Sequence, residues 1–241
     1  LLIPALTKAK QKAQAIQCHS NLSQIGLAWL SYAQDHDDRV QPNLSVEPGT
    51  WVRGWLSLDP NDPDYMDNTN TGYLTKSLLW AHGANSLGVW HCPADKSICK
   101  IGNKRYPRVR SVSMNNWIGQ RDGMPGWDPK YKNFSKVSDM DSHPPASLFV
   151  LLDEREDSIN DSRFVTRMQG FDPLRPGEWR FQDTPASYHN GAGGFLFADG
   201  HALVKRWLDA RTKVKIGGSI PDPQRNNPDV LWLYERATSK K

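Results

Sequence analysis

The chain has 241 residues, with 30 Lys and Arg against 26 Asp and Glu, a formal net charge of +4. That length is ample for a buried core and excludes a peptide-sized scaffold, while so mild a basic balance excludes the concentrated positive charge of a dedicated nucleic-acid binder. Hydrophobic residues at 38% and aromatics at 10% exclude disorder from low hydrophobicity. Three cysteines, Cys18, Cys92 and Cys99, are too few for a disulfide scaffold, and no two have zinc-ribbon spacing.

The first residues, Leu1-Leu2-Ile3-Pro4-Ala5-Leu6, form an apolar patch. It is far shorter than the about 20 residues that span a bilayer as a helix, and it lacks the basic lead-in of a signal peptide. It reads as the end of a longer hydrophobic segment. Residues 5–35 read as a helix, because Leu6, Ala9, Ala13, Ile16 and then Leu22, Ile25, Trp29 and Tyr32 recur at spacings of three and four. The stripe over residues 16–33 is expected to dock on a domain, leaving the first half to project. Residues 40–90 read as ordered loop with one short helix at 73–82, being rich in Pro, Asn, Asp and Gly. Strands are expected at 89–92, 109–117, 148–152, 194–198 and 202–207. Asp199-Gly200 between the last two predicts a hairpin with a type I′ turn. Beyond lie Gly217-Gly218, a Pro- and Asn-rich stretch and Lys240-Lys241, which read as a peripheral tail. The expected fold class is α+β, a long N-terminal helix packed on an antiparallel sheet with long ordered loops. Its units are a helix at 1–36, a globular head at 37–216 and a tail at 217–241.

Several residues carry possible chemistry. His189, Asp199 and His201 together would suit a metal or an acid–base pair, although a turn at Asp199-Gly200 explains that pair structurally. The loop 153–161 places five carboxylates and an Asn in nine residues. Asp153, Asp157, Asn160 and Asp161 are its candidate calcium ligands, without EF-hand spacing. The other reading is a solvated charged loop paired with Arg155 and Arg163. Trp51, Trp55, Trp80, Trp90, Trp117, Trp127 and Trp179 would either stack on sugars, anchor a neighbouring subunit or pin loops to the core.

Longer motifs carry a resemblance. The run Leu2-Ile3-Pro4-Ala5-Leu6-Thr7-Lys8-Ala9-Lys10, with Ile16-Gln17-Cys18, Asn21-Leu22 and Gln24-Ile25-Gly26-Leu27-Ala28, resembles the membrane-distal part of a prepilin-type helix. Cys92-Pro93-Ala94-Asp95, Ser113-Met114-Asn115 and Leu152-Asp153-Glu154 resemble segments of the pseudopilin-like family of planctomycete and verrucomicrobial type. Its signature, a His followed after nine residues by Asp-Gly, matches His189, Asp199 and Gly200. The resemblance runs from residue 1 to about residue 212.

The resemblance implies a pilin-like, non-catalytic subunit of a type II secretion or type IV pilus-like filament. A hydrophobic helix upstream of Leu1, following a Phe-Thr-Leu-Ile-Glu processing run, would anchor it in the inner membrane, with the head periplasmic or extracellular. The implied partners are other pilin-like subunits, a prepilin peptidase and a secretion-system assembly platform, with no nucleic acid. Leu2, Leu6, Ala9 and Ala13 would line the filament interface. Calcium in a loop of the sheet region fits the family. In such an oxidising compartment Cys92 and Cys99 can bridge, the rival pair being Cys18 and Cys92. Two other functions stay open: a glycan-binding module using Trp-rich loops, and a metal-dependent hydrolase using His189 and Asp199.

Overall fold

A computed structural model of the chain describes residues 2–120 and 128–241. Helix α1 (Leu2–Asp35) is followed by long loops holding a single turn of helix, α2 (Gly72–Thr75). Strands β1 (Ile98–Ile101) and β2 (Lys104–Pro107) form a separate hairpin. The main sheet comprises β3 (Val112–Asn115), β4 (Phe149–Asp153), β5 (Arg163–Phe164), β6 (Ala192–Phe197) and β7 (Ala202–Arg206), in the order β5-β3-β4-β6-β7. A last helix, α3, spans Pro228–Tyr234. The α+β class therefore holds, with a mixed rather than wholly antiparallel sheet, since the two-residue edge strand β5 runs parallel to β3.

Both faces of the central strands are covered, so β4 and β6 are buried along their whole length. On one face Leu22, Ile25 and Trp29 of α1 join Leu151 and Leu196 in the larger apolar cluster. On the other, Phe149, Leu152, Phe195, Phe197 and Trp207 pack with Val230, Leu233 and Tyr234 of α3. The pairing of β4 with β6 shifts register between Phe149 and Leu151. That irregularity lets the consecutive residues Val150 and Leu151 share one cluster while Phe149 and Leu152 share the other, which strict alternation would forbid.

The apolar docking of helix α1 begins at Cys18, one turn after the Gln14 amide donates to Pro93 O at 2.7 Å. Cys18, Asn21, Leu22, Ile25, Ala28, Trp29, Tyr32 and Ala33 are buried, whereas Leu6 is 72% and Ile16 71% exposed. Ile16 thus lies off the docked stripe to which its spacing assigned it. Ala9 and Ala13 are exposed as well, and the side chain of Leu2 lies outside the description. Among the described residues no helix is long and apolar enough to cross a membrane.

Four local expectations change. The helix expected at 73–82 is only the turn α2, because Ser77 Oγ captures the Leu79 N–H at 3.1 Å and donates to the Trp51 carbonyl, giving the backbone a non-helical alternative. Residues 87–90 form a short 3₁₀ turn in place of a strand. The β6–β7 connection has three residues rather than a two-residue type I′ turn. Phe197 O accepts the Gly200 N–H while Phe197 N–H donates to His201 O, each at 2.9 Å. Within it Gly200 has positive φ, at +88°, and Asp199 does not. This is the geometry of a type I turn closed by a left-handed glycine. Finally, the segment 217–241 is peripheral only over residues 217–223, which are exposed or half-buried. Asn227 caps α3 by accepting the Asp229 N–H, Pro228 occupies the first turn, and Val230, Leu233, Tyr234 and Ala237 enter the core.

Candidate functional site

Four side chains from four separate parts of the chain converge beneath α1. Cys18 comes from the first docked turn of α1, Cys92 from the loop after the 3₁₀ turn, Asp153 from the last position of β4 and His189 from the turn leading into β6. One ligand-type atom from each lies within 4.8 Å of the others. Cys18 Sγ is 3.0 Å from Asp153 Oδ2, Cys92 Sγ is 3.3 Å from His189 Nε2, and His189 Nε2 is 3.7 Å from Asp153 Oδ2. The four residues are between 1% and 7% exposed.

The position of β6 makes this convergence possible. Gly194 N–H donates to Asp153 Oδ2 at 3.0 Å. A Cβ at residue 194 would stand 2.7 Å from that oxygen and 2.9 Å from Cys18 Sγ, so only glycine lets the strand approach so closely. Asp153 Oδ1 and His189 Nδ1 are buried without a hydrogen-bond partner.

Charge is strongly redistributed within the cluster. Burial opposes a thiolate at Cys92, but hydrogen bonds with Cys18 and His189 outweigh it and hold this thiol below its ordinary value. The hydrogen bond to Cys92, burial and the Asp153 carboxylate all push Cys18 upward. For His189 burial disfavours the imidazolium, yet Asp153 and Cys92 prevail and raise it to about 9. Two sulfurs, an imidazole and a carboxylate are the donor types of a tetrahedral metal site. Thiolate beside imidazole is also the arrangement of an activated nucleophile.

These residues were each conspicuous in the sequence for a different reason. The expected calcium set does not assemble. Asp153 turns inward to the cluster, while Asp157 pairs with Arg155 and accepts the Gly217 N–H at 2.9 Å. Asn160 accepts the Asp161 N–H, and Asp161 pairs with Arg163 at 3.1 Å. The arginine partners are those of the charged-loop reading, but most of the loop is buried rather than solvated, with Asp157 exposed. It closes over Arg108 and Arg110, whose guanidinium groups donate to its backbone carbonyls at Ile159 and Asp161. Cys92 and Cys99 are free thiols, with Cys99 on β1, and the near neighbours of Cys92 are Cys18 and His189. His189 does not join Asp199 and His201. The latter two bond to each other at the exposed hairpin tip, at the far end of β6. Of the tryptophans, Trp51, Trp90, Trp117 and Trp179 are buried, with Trp51 stacked on Trp90, while Trp55 and Trp80 are half-buried. Trp127 lies outside the described residues.

The fold and this cluster define an α+β protein with one projecting helix and a buried thiol–imidazole–carboxylate centre. No family model, no curated protein and no solved structure matches the chain.

Proposed function

We propose that the chain is a non-catalytic structural subunit of a pilin-like filament, of the type II secretion or type IV pilus kind. It would be anchored in the inner membrane through a hydrophobic helix upstream of Leu1, with its head outside the cytoplasm. The observation that carries this reading is the division of α1: one half is buried on the sheet, and the other presents Leu6, Ala9, Ala13 and Ile16 to solvent. A helix that leaves the apolar side chains of its first half exposed can pack against equivalent helices of neighbouring subunits, with about 25 cal/mol favouring association for each Å² of apolar surface buried. The signature residues His189, Asp199 and Gly200 support the same reading through the family they resemble. The glycan-binding alternative loses its motive, because most of the described candidate rings are spent on the core.

The test is expression with the native N-terminus in a host that carries a prepilin peptidase and the assembly platform. Leader processing and recovery of the subunit in sheared filaments are expected. Cleavage of an ordinary signal peptide, with no subunit in any filament, would overturn the proposal.

A further inference from the structure

We propose that Cys18, Cys92, Asp153 and His189 bind one zinc ion, or a comparable thiophilic divalent ion, as a structural clamp fixing α1 to the sheet. The inference rests on the cluster alone and is independent of the filament reading.

Its first support is geometric. A tetrahedral ion with bonds of about 2.3 Å to sulfur and about 2.0–2.1 Å to nitrogen or oxygen separates its ligand atoms by about 3.3–3.8 Å. The separations here of 3.0, 3.3 and 3.7 Å fall in or just below that range, and all four atoms lie within 4.8 Å of one another. Small movements would therefore complete the coordination.

The second support is a pair of unsatisfied buried polar atoms. Asp153 Oδ1 and His189 Nδ1 are both buried with no hydrogen-bond partner. A buried carboxylate oxygen with no donor is unfavourable, and a coordinated ion would hold this carboxylate with a partner. Binding through two thiolates would release the ligands' protons into solvent. The ion would then sit among two thiolates, a neutral imidazole and a carboxylate. Two sulfurs exclude calcium and magnesium, which take oxygen ligands.

The third support is the surrounding shell. The Gly194 N–H fixes the Asp153 carboxylate, as outer-shell donors do around metal ligands, and the missing Cβ keeps the space open. Complete burial with four protein ligands and no open position is the form of a structural site. The four ligands cross the sequence widely, with Cys18 and Asp153 135 positions apart and Cys92 and His189 97 apart. One ion would thus tie the docked half of α1 to β4, to the entry of β6 and to the long loop.

The test uses the full chain, purified under reducing conditions, stripped with a chelator and titrated with Co²⁺ and Zn²⁺. One equivalent of Co²⁺ is expected, giving the visible bands of tetrahedral cobalt and thiolate charge transfer in the near ultraviolet, and Zn²⁺ should displace it. Cys99→Ser should bind unchanged. Cys18→Ser, Cys92→Ser and His189→Ala should each weaken binding at least about 100-fold, and Gly194→Ala should weaken it without removing a ligand. A chain folded by circular dichroism that shows no thiolate charge transfer with Co²⁺ would overturn the proposal without recourse to any variant. Binding by the Cys18→Ser and Cys92→Ser proteins as tight as that of the unaltered chain would overturn it too, as would a Cys18–Cys92 disulfide in the protein isolated from cells.

Discussion

The side-chain amide of Asn115 donates to the carbonyl oxygen of Ala237 at 2.8 Å, joining residues 122 positions apart. The same amide donates to Phe149 O at 2.9 Å, and its oxygen accepts the Trp117 N–H. One buried side chain thus holds β3, β4 and the C-terminal segment together, since Phe149 N–H also donates to Arg236 O. Asn115→Ala leaves three buried backbone groups without partners, and at about 1 kcal/mol or more for each should cost about 3 kcal/mol. Urea denaturation of the two proteins measures this. A loss under about 1 kcal/mol would show that the C-terminal segment does not depend on Asn115.

The pH dependence of stability should carry a contribution from Asp183. Burial raises its carboxyl to about 7, against the hydrogen bond from Val165, and Asp161 adds to the rise. A carboxyl whose folded value lies above its unfolded one contributes stability that is full below about pH 4 and is lost as pH rises through about 7. Asp183→Asn keeps an oxygen for the Val165 N–H, which donates at 2.7 Å, and removes the titration. Because the group is only partly shielded from water, the gain at pH 8 should be about 2 kcal/mol, vanishing near pH 4. Thermal melts across this range provide the check, and parallel curves for the two proteins would refute the assignment.

The tip of the β6–β7 hairpin separates backbone from side-chain roles. Gly200 has φ +88°, and a Cβ there would also stand 2.9 Å from Leu30 Cδ1. Gly200→Val should therefore cost about 2 kcal/mol or more, a fall in Tm of about 4–8 °C. Asp199→Asn retains an oxygen for the His201 N–H at 3.1 Å and should be nearly silent. Equal melting temperatures for Gly200→Val and the unaltered protein would contradict this turn geometry.

What could be read from the sequence follows from how local each signal is. The docked stripe from Leu22 to Tyr32 repeats every three or four residues, and β4, β6 and β7 are short apolar or alternating runs, so neighbours in sequence suffice to see them. Strand β5 has two residues and exists only because β3 lies beside it. Likewise β2 is exposed along its whole length and β1 fully buries only Cys99, so four-residue strands of this kind show no alternating buried face in the sequence. The C-terminal segment looked peripheral because Pro and Asn dominate its approach, yet Asn227 and Pro228 are the cap and first turn of α3. In the site, Cys92, Asp153 and His189 each stood out alone, as a bridge, a calcium ligand and a signature. Their shared centre with Cys18 arises from contacts across 97 and 135 positions, which no spacing rule encodes.

The filament proposal makes a prediction that stability alone cannot mimic. Leu6 and Ile16 are 72% and 71% exposed, so replacing either by Asp removes little intramolecular packing and should change stability by no more than about 0.5 kcal/mol. In a filament the same positions would face neighbouring helices, where a carboxylate buried among apolar side chains is strongly unfavourable. Leu6→Asp and Ile16→Asp in the full-length protein should therefore leave the head folded and the subunit in the membrane, while its recovery in sheared filaments falls at least tenfold. Leu22→Ala is the opposite control: Leu22 is buried in the docked stripe, and its truncation should cost about 2–5 kcal/mol of stability. Membrane level, melting temperature and filament content, measured for the same three proteins, separate the two halves of α1. If Leu6→Asp and Ile16→Asp subunits enter filaments at the unaltered level, the projecting half of the helix is not an assembly surface.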